Sequence, residues 1–559
     1  MKKISLGIHI GHDRGASLVI DGELVGSIAQ ERLDRIKHSR SIEIPYDSID
    51  RLLNYKNISI KDINCIGFSG DAMEAEWVLL KIKDDFVNHY DLKGVPFYAV
   101  SHHDSHAFAA YYMSGYDEAL VLIADGGGDY VYDMAESESL YVANKKDIIP
   151  IDKRLQNATI KRMSNESNYL FEYMPNTVRK QQISVARKYE QITYMLGFGW
   201  GQAGKTMGLA SYGKSLIDFS KAGVPGLDID LKYEDILKNI FVLQQLSGKS
   251  YTEYISENAA NIAQTVQDYT EHIIIEIVDF LVKEYKINHL CLGGGLFLNC
   301  LLNHKILEKC NINNLFILPS TGDDGQSIGN AFYAYKMHFA QIQSKKLLNP
   351  YLGLDYSNEL IESELCAFNL KYQTFPDNVL AKKIAEAISN DKIVAIHRGK
   401  TEIGPRALCH RSILANATNP DMKDIINNRI KHREPFRPFA PVVTIEKAFD
   451  IFNLKQESPF MLLAPTVKED YKTLLPSITH VDGSARVQTV DKAIEPFIHS
   501  VLKEFEAIKG VPVIINTSFN IAGQPIVEAP SDAIQTFINN DMDILVIGNC
   551  WIEKKTNLQ

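Results

Sequence analysis

Residues 102–106 read HHDSH and lead into AFAAYY, a run of good helix formers. On a helix, positions i and i+4 share one face, so His102 and His106 can offer two imidazoles to one ligand while His103 points elsewhere. That spacing suits a metal or a pair of hydrogen-bonded histidines at a helix start. A zincin-type protease needs Glu directly after the first histidine, and His103 stands there instead. A second concentration of chemistry lies far downstream. Between 398 and 437, nine Lys or Arg stand against four acids, in a chain whose net charge is −10. They are interleaved with apolar residues and prolines. Arginines on rigid backbone suit small polyanions, because the guanidinium fork clamps phosphate or carboxylate at two points. An RNA patch and a solvated surface cluster are the other readings; a nucleic-acid groove would carry more aromatics than Phe436 and Phe439.

These residues need elements to hold them. "ISLGIHIGHDRGASLVIDGELVGSI" predicts a strand, a turn carrying Gly11 and His12, a second strand, and a hairpin at Asp21-Gly22. "ALVLIADGGGDYVYDMAES" repeats the plan, with Asp125 and Gly126, Gly127 and Gly128 in its turn. Glycines there let backbone N–H groups approach a phosphate, and a polar turn residue holds a cation or water. Two such units point to a duplicated α/β domain of the actin-like ATPase type; two ordinary hairpins are the plainer reading. "INHLCLGGGLFLNCLLNHKIL" then predicts strand, Gly293-Gly294-Gly295, and a helix bearing Asn299, as α/β proteins present helix N–H groups to a nucleotide. "NLFILPSTGDDGQSIGNAFYAY" puts Asp323 and Asp324 at a strand-to-helix loop, where acids cap helices unless other ligands converge.

Residues 338–358 are polar with Pro and Gly, which reads as a linker region. The expected domains are 1–345 and 359–559, with 346–358 between them. In the second, "GSARVQTV" adds Arg486, and "VPVIINTSFNIAGQPIV" ends in Asn516, Thr517, Ser518 and Asn520. That polar turn can bind an anion or satisfy its own backbone.

At 559 residues, 45% hydrophobic and 23% charged, the chain is ordinary for a soluble protein but exceeds one hydrophobic core. Its negative charge argues against a general nucleic-acid or anionic-membrane binder. The seven cysteines are scattered without a C-x-x-C pair, as expected of free thiols in a reducing compartment. The opening "MKKISLGIHIGHD" is too short in its apolar run for a signal peptide, and no stretch approaches the roughly 18 apolar residues of a membrane span. The expectation is a cytoplasmic protein, with an isologous dimer as the default assembly.

Ten segments occur together and in order: GIHIGHDRGASLVIDG, QERLDRIKH, HHDSHAFAAYY, DGGGD, GKTMGLASYG, GGGLFLN, DDGQSIGNA, GPRALCHRSILA, NNRIKHREPFRPFAP and NTSFNIAGQPIV. Over nearly the whole chain they resemble the O-carbamoyltransferases of antibiotic, toxin and nodulation-factor biosynthesis, the tobramycin carbamoyltransferase group. The resemblance implies an actin-like N-terminal domain, similar to the universal threonylcarbamoyl-adenosine protein of tRNA modification, and a YrdC-like C-terminal α/β domain. It further implies that carbamoyl phosphate and ATP, with Mg²⁺, give carbamoyl adenylate in the C-terminal domain. The carbamoyl group then passes to a hydroxyl of a small-molecule acceptor in the N-terminal domain, and AMP leaves. By matched motifs, His102, His106, Asp125 and Asp323 would hold Fe²⁺, Mn²⁺ or Zn²⁺, with Asp324 the alternative to its neighbour. His12 is the candidate base or adenylate contact, and Lys37 a contact to substrate phosphate. Gly11, Gly126–Gly128, Lys205, Gly208, Gly293–Gly295, Asn299 and Asp324 would line the nucleotide cleft. Arg406, Arg411, Lys431, Arg437, Arg486, Asn516, Thr517, Ser518 and Asn520 would surround carbamoyl phosphate and the ATP phosphates. The acceptor pocket is expected within 155–200, with neither membrane nor nucleic acid as partner. A tRNA-modifying or RNA-binding protein, and a sugar kinase sharing only the N-terminal fold, are the rival readings. One departure stands out: the family pattern GPRALG-x-RSI has glycine where this chain has Cys409. If that glycine takes φ > 0, Cys409 would be strained there.

Overall fold

The computed structural model describes residues 2–70, 76–131, 134–157, 178–181, 184–219 and 233–557. Of the expected acceptor segment 155–200, residues 158–177 and 182–183 lie outside them. The first sheet contains β1 (Ile4–Ile10), β2 (Gly15–Ile20), β3 (Glu23–Ala29), β4 (Cys65–Gly70) and β5 (Phe97–Ala99), in the order β3-β2-β1-β4-β5. Asp21 and Gly22 both have positive φ, 50° and 85°, as a two-residue hairpin between twisted strands requires. The second sheet contains β6 (Glu118–Ala124), β7 (Tyr130–Val131), β8 (Met134–Asn144), β9 (Ile148–Asn157), β10 (Val178–Gln181), β11 (His289–Gly293) and β12 (Asn314–Ile317). Its main order is β10-β9-β8-β6-β11-β12. The two sheets share one plan. Three consecutive strands form one side, and two later strands add in parallel beyond the first: β4 and β5 beyond β1, β11 and β12 beyond β6. This is the duplicated actin-like α/β architecture expected from the paired turns.

The His102–Tyr112 helix is buried along its whole length and packs on the Gln326–Phe339 helix and on β6 and β11. Gly329 makes that packing possible. A Cβ there would lie 1.8 Å from the Ser105 carbonyl oxygen, so any side chain would push the two helices apart. Asp323 begins the turn leading into the second helix, so this backbone contact carries it toward the histidines.

The third sheet contains β13 (Gln373–Thr374), β14 (Val394–His397), β15 (Arg411–Asn416), β16 (Ala440–Thr444), β17 (Gln488–Val490), β18 (Val513–Ser518), β19 (Ile544–Ile547) and β20 (Cys550–Glu553), ordered β13-β20-β19-β14-β15-β18-β16-β17. One apolar layer places Leu380, Ile384, Val501 and Phe505 of helices Asp377–Ser389 and Pro496–Lys509 against Val394, Ile396 and Ile514. The other gathers Ile413, Val443 and Ile515 with Ile534 and Phe537.

By internal packing the chain forms two units: residues 1–11, 19–23 and 63–346, and residues 12–18, 24–62 and 347–559. The segments 12–18 and 24–62 thus group with the C-terminal residues, whereas the sequence suggests a division at one place in the chain. Among the described residues, no helix is long and apolar enough to cross a membrane.

Candidate metal centre and anion site

In the first unit, Ser101 caps the histidine helix by accepting from the Asp104 N–H, and the helical spacing aims both imidazoles one way. Nε2 of His106 lies 3.2 Å from Asp125 Oδ2 and 3.2 Å from Asp323 Oδ1. Nε2 of His102 lies 3.3 Å from Asp323 Oδ1 and 3.8 Å from Asp125 Oδ2. All four donor atoms fall within 4.8 Å of one another. Of the two neighbouring aspartates, Asp323 joins the cluster and Asp324 does not. Asp125 is held from two sides: Oδ1 accepts from the Gly126 N–H at 2.6 Å and Oδ2 from the Gly295 N–H at 3.1 Å. Gly294, at φ 99°, brings its loop against the Ala124 backbone, where a Cβ would sit 2.3 Å from the carbonyl oxygen. The two glycine turns therefore meet at Asp125.

Burial alone would strip protons from His102, but Asp323 and Asp125 outweigh it and hold this imidazole well above its ordinary value. His106 is raised in the same way, against its burial, by Asp125 and Asp323. His103 faces away, bonded through Nδ1 to Ser139 Oγ at 2.7 Å, and burial pushes it down to about 3. The donor set fits a metal of intermediate hardness. Two imidazole nitrogens and two carboxylates suit Fe²⁺, Mn²⁺ or Zn²⁺, and buried His102 Nε2 has no hydrogen-bond partner of ordinary geometry.

The other expected nucleotide-cleft residues are placed unevenly. Gly11 has φ 109°, and a Cβ at Gly126 would meet open space. Gly127 lies near Gln156, while Gly128 packs tightly on Glu136 and His103. A Cβ at Gly293 would press on Ile123. Asn299 caps the Cys300–Lys309 helix through the Leu302 N–H and donates to Gln267. Lys205 and Gly208 share the Ala203–Ala210 helix, with Lys205 Nζ over the Phe198 ring.

In the second unit, Lys431 is buried and its Nζ donates to Ser518 O at 2.6 Å, Asn520 O at 3.0 Å and Asn520 Oδ1 at 3.0 Å. Burial lowers this ammonium well below its usual range, and Arg433 and Arg437 add repulsion. Arg433 itself falls to about 9, by burial and then by Arg437 and Arg486. Its guanidinium stacks 4.2 Å from the Phe439 ring centroid. Lys37 is lowered by burial, and Arg437 and Arg406 act on it in the same sense. Like charges crowded this way would be relieved by an anion placed among them. Arg433 was not singled out from the sequence, although it stands between Lys431 and Arg437 in the same basic run.

Arg411 opens β15 beside the Ser518 end of β18, and its Nε and Nη2 are buried with no hydrogen-bond partner among the described residues. Its guanidinium is fully buried and donates to the carbonyls of Arg398, Gly399 and His410. Asn516 likewise turns to Ala407 O and Gln488, while Thr517 pairs with Ile413 in the sheet. His12 lies beside Asp13, which His38 also contacts at 2.9 Å.

Cys409 has φ 82°, so the condition for strain at this departure from the motif is met. Its buried Sγ contacts Gln488 Oε1 and Asn516 Nδ2. Strain relief and lost thiol packing oppose each other in Cys409→Gly, which is expected to change stability by less than about 1 kcal/mol. Cys409→Val, β-branched at positive φ, is expected to cost about 2 kcal/mol or more. Urea unfolding of both variants measures the difference.

Residues 76–332 match the family model "Carbamoyltransferase N-terminus", and 385–554 match "Carbamoyltransferase C-terminus". The chain is therefore an enzyme of the carbamoyltransferase class. Nodulation protein NolNO of Sinorhizobium fredii is 31% identical to it, across 98% of this chain and 79% of the relative. The 3'-hydroxymethylcephem-O-carbamoyltransferase of Amycolatopsis lactamdurans is 30% identical, across 63% of this chain and 65% of the relative. Among solved structures, HypF from T. kodakarensis is similar at a TM-score of 0.41 and 15% identity, over 61% of this chain and about half (48%) of that one. The chain belongs to the O-carbamoyltransferase family.

Proposed function

We propose that this carbamoyltransferase works in two chemically separate steps. The observation that carries the reading is that each unit holds a distinct set of groups: a buried imidazole–carboxylate quartet in one, a crowd of cations in the other. In the second unit, of YrdC-like type, carbamoyl phosphate is hydrolysed to carbamate and phosphate. A carbamate oxygen then attacks the α-phosphorus of ATP, the bond to pyrophosphate breaks, and carbamoyl adenylate forms. Lys431, Arg437, Arg486 and Arg406, with Arg433 and Lys37 beside them, screen the roughly six negative charges of the two substrates so that the phosphates can approach. Ser518 and Asn520 hold Lys431 in place. Mg²⁺ accompanies the ATP.

In the first unit, an acceptor hydroxyl oxygen attacks the carbamoyl carbon, and the bond to AMP breaks. His102, His106, Asp125 and Asp323 would hold Fe²⁺, Mn²⁺ or Zn²⁺, which supplies Lewis-acid polarisation of the carbonyl. The hydroxyl proton leaves to solvent water; His12, expected as the base or an adenylate contact, belongs to the second unit, where Asp13 accepts from its Nδ1. The name of one relative, a 3'-hydroxymethylcephem-O-carbamoyltransferase, supports a hydroxylated small molecule as acceptor. Incubating the protein with ATP, carbamoyl phosphate and a panel of such compounds should give one product heavier by a single carbamoyl group. Strongly salt-dependent tRNA binding with no such product would favour the RNA reading.

Metal loading provides a pH test. The metal-free histidines hold protons above the ordinary imidazole range, and a ligand must be neutral, so binding must displace protons. Affinity for Mn²⁺ or Zn²⁺ should fall steadily as pH is lowered toward about 6. A pH-independent affinity would contradict the assignment.

A further inference from the structure

Behind the quartet lies a second buried cluster that plays no part in the steps above. Asp129, four residues beyond Asp125, accepts from the His102 backbone N–H through Oδ2 at 2.7 Å. Its own N–H donates to Glu136 Oε2 at 3.3 Å. Glu136 and Lys153, both fully buried on β8 and β9, form an ion pair at 2.5 Å. Lys153 Nζ also reaches Asp104 Oδ1 at 3.4 Å, and the Tyr141 hydroxyl donates to the same oxygen at 2.7 Å. Asp104 sits in the first turn of the histidine helix, between the two metal-facing residues. Gly128 permits the closure, because a Cβ there would meet Glu136 Oε2 at 2.7 Å.

We propose that Lys153 is a positioning residue for the metal centre. It ties the first turn of the histidine helix, through Asp104, to the strand-and-turn carrying Asp125, through Glu136 and Asp129. The inference rests on the metal reading of the quartet. The physical reason for a buried lysine here is specific. A carboxylate at Asp104 favours the helix N-terminus, yet it needs a cation once it is out of water. Lys153 supplies that cation and shares it with Glu136, so two elements bearing ligands are held by one charge. Without it the buried carboxylates repel, and the His102 and His106 rings lose their register against Asp125. Groups that orient metal ligands in this way typically set affinity by 10–100-fold.

The test is Mn²⁺ titration of the full-length protein against a chromophoric chelator, with pyrophosphate release from ATP and carbamoyl phosphate measured alongside. Lys153→Met should weaken Mn²⁺ binding by about 10–100-fold while leaving pyrophosphate release within about twofold. Asp129→Ala, which removes only the acceptor for the His102 N–H, should weaken binding in the same direction and decides the matter if Lys153→Met does not fold. Unchanged Mn²⁺ affinity in the folded variants, even with a lowered melting temperature, would reduce the cluster to a structural one and overturn the proposal. His106→Ala separates the two ideas: wild-type affinity in that variant would mean that the quartet is not the metal site at all.

Discussion

Replacing His106 by alanine is expected to lower carbamoyl transfer to an acceptor by about 10³-fold or more, the loss of several kcal/mol of charge stabilisation at the carbonyl. The same variant should release pyrophosphate from ATP at close to the wild-type rate when carbamoyl phosphate is present. The contrast follows from placement. His106 is buried against Asp125 and Asp323 within residues 63–346, whereas the cations proposed for adenylate formation belong to the other unit. Coupled assays of pyrophosphate and carbamoylated product read both activities on one preparation. Loss of both in a folded variant would end the division of labour.

Arg486→Ala is expected to do the reverse. Arg486 faces Arg433 and Arg437 in the cation cluster, and removing one such group should cut adenylate formation by about 10²–10³-fold. Carbamoyl adenylate supplied from outside should still be used, because the quartet is untouched. Failure to use it would mean that the C-terminal residues do more than make the adenylate. Wild-type adenylate formation would remove the cluster from the chemistry.

The convergence of two imidazoles was legible in the sequence because a helix has a fixed period: HHDSH puts His102 and His106 on one face whatever surrounds them. The choice between Asp323 and Asp324 was not legible, since it depends on which way the short Asp323–Gly325 turn winds. The strained position at Cys409 could be anticipated, because a missing glycine in a motif implies a backbone that glycine favours. Lys153 lies 49 residues from Asp104, so nothing local announces their contact. The grouping of residues 24–62 with the C-terminal unit has the same origin. Arg35 donates to the carbonyls of Pro525 and Ile526, a pairing across nearly the whole chain that no periodicity encodes.

The proposed chemistry cleaves ATP to form an adenylate and not to phosphorylate. Phosphorus NMR of the wild-type protein with ATP and carbamoyl phosphate tests it most directly and needs no acceptor. Pyrophosphate should appear only when both substrates are present, with AMP following as the adenylate breaks down. Appearance of ADP in place of pyrophosphate, or ATP cleavage that ignores carbamoyl phosphate, would contradict the account.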